Sequence, residues 1–240
     1  VADDVSRRAL LGAAVAGAAA VPLARWLPSA AADPAQPVTQ ENSDPEIGDI
    51  ADALAALRAG NQRFVDGRMD NSGQDPARRI AVSQAQHPFA TVLSCSDSRL
   101  PPEVIFDQGL GDLFVVRVAG NIVEPAVLGS IEYAVGHLHT PLVLVLGHQN
   151  CGAVAATLEA VQTNDQPHGD IAALVAAIEP TVPVANSRPG DLLDNTIHAN
   201  AEQSANQIID SPELQAPVHA GQLKVMTGYY SLDTGVVTIY

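Results

Sequence analysis

Three short apolar runs frame this chain: FATVLSC (89–95), entered by Pro88, DLFVVRVAG (112–120) and PLVLVLGH (141–148). Runs this rich in Val and Leu, with little polar alternation, suit parallel strands covered on both faces. Other stretches repeat at helical spacing. Ile50, Leu54, Leu57 and Phe64 mark one amphipathic helix that ends at Asp66-Gly67, and Val127, Leu128, Ile131, Val135 and Leu138 mark another between the second and third runs. CGAVAATLEAVQ reads as helical from its first residue, and 168–210 as further helices broken at Pro180, Pro183 and Pro189-Gly190. The closing QLKVMTGYYSLDTGVVTIY predicts two strands around Asp233-Thr234-Gly235, a hairpin whose first arm joins the sheet. Strand alternating with helix implies an α/β domain: a mainly parallel central β-sheet with an antiparallel edge strand, flanked by helices.

The first 32 residues differ in kind. Arg7 and Arg8, then an Ala-rich apolar stretch with Pro22, then small residues, follow the order of a signal peptide, and the arginine pair resembles the twin-arginine type. The apolar stretch is shorter than the roughly 20 residues of a membrane-spanning helix, so no stable span is expected. Cleavage is expected after Ala30-Ala31-Ala32, with 33–46 a polar linker and the folded domain occupying 47–240; the alternative is an uncleaved N-terminal helix. The expected destination is outside the cytoplasm: periplasmic, cell-envelope or secreted. With 12 Lys and Arg against 27 Asp and Glu, a net charge of −15 argues against nucleic-acid partners. At 240 residues the chain is long enough for one ample core.

An exported chain with two cysteines would ordinarily pair them. Here Cys95 and Cys151 both fall just past the carboxyl end of an expected strand, where open α/β sheets build their sites, and Cys151 begins a helix. His148 stands three residues before Cys151, and Cys95 is the obvious third partner. Two thiolates and an imidazole select zinc, and three protein ligands leave a fourth position open, as catalytic sites do. Taken singly these signals are weak. A lone cysteine after a strand is more often a small buried hydrophobe, and Asp97 with Arg99 reads equally as a surface ion pair. As a set they point to a metal centre with Arg99 orienting the Asp97 carboxylate beside it.

In order along the chain, GNQRF, SCSDSRLPP, GDLFVVRVAGNIV, SIEYAV, GHQNCGAV and YYSLDTGVV resemble the β-class carbonic anhydrases, and the likeness runs from about Ala51 to Val237. The resemblance implies zinc held by Cys95, His148 and Cys151, an Asp97–Arg99 catalytic dyad, and Asp97 as fourth ligand only in a closed state. It also implies reversible hydration of carbon dioxide to bicarbonate and a proton through zinc-bound hydroxide. Gln86, Phe114 and Tyr133 occupy the places of a substrate pocket in the plant-like, open-site branch, and Gly152 beside Cys151 joins them. A homodimer or homotetramer with an exchanged N-terminal helix and sites at the subunit interface is implied as well.

Two positions depart from family patterns. Val92 stands where a bicarbonate-regulated branch carries tryptophan, which argues for the open site, and Val118 stands where many members have asparagine, which would loosen the turn at Gly120-Asn121 or affect assembly alone. Arg117, in an apolar strand, needs a partner if buried, and the resemblance implies a carboxylate across an interface. The six histidines other than His148 are expected at the surface or as caps. Rival readings are hydrolysis of carbonyl sulfide or carbon disulfide on the same metal, a non-catalytic structural zinc, or a Cys95–Cys151 disulfide.

Overall fold

The computed structural model describes residues 48–165 and 167–240. The expected signal peptide (1–32), the linker (33–46) and Ile47 lie outside the described residues. In chain order the elements are α1 (Ile50–Val65), α2 (Pro76–Ala81), β1 (Ala90–Ser94), α3 (Pro102–Ile105), β2 (Leu113–Arg117), α4 (Pro125–Leu138) and β3 (Leu142–His148). They continue with α5 (Gly152–Thr163), α6 (Ile171–Ile178), α7 (Val182–Asn186), α8 (Leu192–Ile209), α9 (Pro212–His219), β4 (Lys224–Tyr230) and β5 (Val237–Ile239).

Among the described residues five strands form one sheet in the order β2-β1-β3-β4-β5, parallel except for the β4–β5 pair. The three apolar runs became strands, but their burial differs. Every residue of β3 is buried: Leu142, Leu144 and Leu146 join a core with Leu57, Phe106, Ile178 and Ile197, while Val143 and Val145 join one with Leu93, Ile131, Ile208 and Leu214. Successive side chains point to opposite faces, so a central strand must be apolar throughout. β2 is apolar too, yet it is an edge strand and only half-buried. From β1 the chain passes to β2 on one side, and β3 lies on the other, which leaves a crevice at the carboxyl ends of β1 and β3.

The GNQRF segment seats α1 on its own chain. A Cβ at Gly60 would lie 1.7 Å from Phe106 O, so only glycine permits that approach. Asn61 donates to Ile105 O (3.0 Å) and Gly235 O (2.8 Å) and accepts from Val237 N (2.8 Å), tying α1 to α3 and to the β4–β5 hairpin. No helix of the described residues is long and apolar enough to cross a membrane.

Asp107, its side chain fully buried, accepts from Arg63 on α1 and from the Asp70 and Asn71 N–H groups at 3.0 Å. Burial opposes its ionisation, but Arg63 and the two amides outweigh it and hold the carboxyl below its ordinary value. Since the folded carboxyl binds a proton less readily than the unfolded one, the stability it contributes is present above the unfolded pKa of about 4. That stability is lost as pH falls through the lower folded value. Asp107→Asn keeps the shape and tolerates the positive φ of 47°. It should cost about 2 kcal/mol in urea unfolding at pH 7, a difference from wild type that shrinks below pH 4.

Candidate metal centre

Cys95 follows β1 directly, His148 ends β3, and Cys151 caps α5, so the sheet crevice gathers all three. One ligand atom from each lies within 4.8 Å of the others, and the three residues are 5%, 0% and 1% exposed. Both cysteines are free, so the disulfide alternative is not the arrangement found. His148 Nδ1 lies 2.9 Å from Gln149 O. A carbonyl only accepts, so Nδ1 carries the proton and Nε2 presents its lone pair; that buried nitrogen has no hydrogen-bond partner. A buried, unpartnered imidazole nitrogen among two soft sulfurs is a donor set that fits zinc.

The Cys95 thiol is pushed down, chiefly by the hydrogen bond from Cys151, with the Gly120 and Asp97 amides adding to it against burial. The Cys151 thiol is pushed up by the Cys95 sulfur and by burial, against the Ala153 and Val154 amides of the helix start.

Asp97 and Arg99 form a two-pronged pair, Nε to Oδ1 at 2.9 Å and Nη2 to Oδ2 at 2.8 Å. The Arg99 side chain is half-exposed, whereas Asp97 is largely covered. Asp97 Oδ2 stands 3.9 Å from His148 Nε2, at the mouth of the three-ligand cluster. Arg99 holds the Asp97 carboxyl well below the usual carboxylate range.

Two supports were not legible beforehand. Gln149 Nε2 donates to Asp233 Oδ2 (2.7 Å) and its N–H to Tyr230 O (2.9 Å), so the β4–β5 hairpin fixes the peptide that orients His148. Within the single chain Arg117 is exposed, and its Nε donates to Cys95 O (3.1 Å) and its Nη2 to Asp97 O (2.6 Å), bracing the loop that carries both. Nor is the Gly120-Asn121 turn loose for want of an asparagine at 118. Val118 N donates to Ser94 O (3.1 Å), Asn121 N to Val118 O (2.9 Å), and Gly120 N to Cys95 Sγ (3.3 Å).

The remaining pocket residues are not gathered by the single chain. Phe114 pairs with Thr91, four residues before Cys95 and thus about 13 Å back along the strand. It meets Tyr133 (ring centroids 6.2 Å) on a face where Tyr133 is 47% exposed. Gln86 is exposed ahead of β1, and Gly152, also exposed, opens α5 beside Cys151. Val92 is fully buried in the core. Of the other histidines, His139 caps α4 in the left-handed region as expected, but His198 is half-buried, stacked on Tyr229 at 4.8 Å.

Comparison with known proteins agrees with this architecture. The profile of the family described as Carbonic anhydrase matches residues 90–237. Carbonic anhydrase 2 of Mycobacterium tuberculosis is 40% identical over 187 residues, covering 76% of this chain and 89% of that protein. A carbonic anhydrase of Mycolicibacterium smegmatis is 39% identical over 188 residues, 78% of this chain and 91% of its own length. Among solved structures, a Coccomyxa β-carbonic anhydrase in complex with acetazolamide superposes with a TM-score of 0.61 at 27% identity, covering 77% of this chain and 85% of that one.

Proposed function

Because the chain belongs to the β-class carbonic anhydrase family, we propose that it hydrates carbon dioxide reversibly to bicarbonate and a proton, at a zinc ion held by Cys95, His148 and Cys151. The observation that carries this reading is the buried His148 Nε2, unpartnered and converging with two free sulfurs. Zinc in such a set, when bound, supplies Lewis acidity that makes a water nucleophilic near neutral pH.

The chain's own residues supply the rest. Asp97 Oδ2, 3.9 Å from His148 Nε2, is placed to accept a hydrogen bond from the attacking water and so aim its lone pair. Arg99 keeps that carboxylate ionised and fixed in plane. Because Arg99 occupies Asp97, the carboxylate orients the water instead of ligating zinc, which corresponds to the open-site branch; Val92 in place of tryptophan supports the same choice.

The half-buried edge strand β2 and the exposed Tyr133 packed against half-buried Phe114 suit a face covered by a second copy. In such a homodimer or homotetramer, Gln86, Phe114 and Tyr133 of one copy would complete the pocket of the other, the aromatic rings forming the apolar wall that uncharged carbon dioxide favours. The order of residues in 1–32 supports export through a twin-arginine signal, with 33–46 as linker to a catalytic domain over 47–240.

The test is direct assay with carbon dioxide, carbonyl sulfide and carbon disulfide on one preparation. Carbon dioxide hydration should dominate; faster turnover of either sulfur compound would overturn the assignment.

A further inference from the structure

The N–H that reaches Cys95 Sγ belongs to Gly120, the middle residue of a short 3-10 turn, Ala119–Asn121. Gly120 and Asn121 both have left-handed φ, 73° and 44°. A Cβ on Gly120 would fall 2.8 Å from Ile178 Cδ1 and 3.2 Å from Ala153 Cβ, so the turn is wedged between α5 and α6 with its amide aimed at the sulfur. Its carbonyls face the other way, and both are taken by α8. Asn200 Nδ2 donates to Gly120 O at 2.7 Å, and Ser204 Oγ donates to Asn121 O at 2.9 Å.

Asn200 and Ser204 are one helical turn apart, hence on the same face, and each is 1% exposed. Their bonds cross 80 and 83 residues of sequence. Asn200 also leaves its own buried Oδ1 without a partner. An orphaned polar atom is a cost that an apolar residue at the same place would avoid, so its presence points to a role beyond filling space.

We propose that Asn200, assisted by Ser204, is a positioning residue of the metal centre: it grips the Gly120 peptide from behind so that the amide stays on Cys95 Sγ. The grip fixes the direction in which that sulfur presents its lone pairs. Asn200 touches neither sulfur nor imidazole and acts only through the peptide, as outer-shell partners of metal ligands do. The proposal rests on Cys95 being a metal ligand.

The experiment compares Asn200→Ala and Ser204→Ala with a control from the same helix, Gln203→Ala. Gln203 Nε2 donates to Ala177 O at 2.8 Å, a bond of similar length that leads to α6 instead of the turn. Two quantities are read: the rate at which zinc-loaded full-length protein releases metal to a chelator, and amide hydrogen exchange over 118–122 in metal-free protein. Asn200→Ala should release zinc about tenfold faster than wild type and exchange faster over 118–122, while Gln203→Ala matches wild type in both. If Asn200→Ala fails to fold, Ser204→Ala, which removes one hydroxyl, should shift both readouts in the same direction by a smaller factor.

Equal zinc release from the α8 variants and the control overturns the proposal, as does faster exchange with unchanged release. A wild-type chain that takes up no zinc overturns the functional reading instead. The exchange arm, run without metal, then still upholds or overturns the grip on Gly120.

Discussion

Cys151→Ser protein should emerge from purification folded, free of zinc and without measurable carbon dioxide hydration. The fold survives because residue 151 is the N-cap of α5 and makes no side-chain capping bond, and serine is among the favoured residues at such a position. The metal does not, because the hydroxyl is a far poorer zinc ligand than a thiolate and only Cys95 and His148 remain. A loss of about 4 kcal/mol or more of transition-state stabilisation is expected, a factor of about 10³ in kcat/KM. Circular dichroism, metal analysis and stopped-flow assay on one preparation separate the effects. Near-stoichiometric zinc in this variant would remove Cys151 from the ligand set.

The second large effect separates holding the metal from using it. Asp97→Asn preserves volume but removes the charge, and with it the two-pronged pairing to Arg99. Zinc content should stay at the wild-type level while kcat/KM falls by about 10² to 10⁴, the range for losing a positioned acid–base group. Since Arg99 holds the Asp97 carboxyl well below the usual range, it stays ionised from weakly acid to alkaline pH. Asp97 should therefore add no limb to the wild-type activity profile between pH 5 and 9. If the substitution instead strips zinc, Asp97 is a ligand and the closed arrangement is the resting one.

Much of this was legible along the chain because the signals are local. β1 and β3 declare themselves as short runs rich in Val and Leu, and the cysteines are placed at strand ends by counting residues. The His-x-x-Cys spacing survives folding because a single turn spans it. What escaped was non-local or short. Helices α2, α3 and α9 have eight residues or fewer and open with Pro76, Pro102 and Pro212, so too few turns exist for a period to show. The outward course of Arg117 follows from β2 lying at the sheet edge, a matter of strand order that a run of valines does not encode. The α8 contacts to Gly120 and Asn121 depend on side chains brought together across 80 residues, with no spacing to mark them.

The most direct test is zinc content and carbon dioxide hydration of wild-type protein before chelation, after it, and after one equivalent of zinc is returned. One zinc per chain, activity abolished by its removal and restored by its return, with both cysteines free throughout, is the expected result. Undiminished hydration by metal-free protein would contradict it, and so would purified, folded protein whose Cys95 and Cys151 are joined to each other.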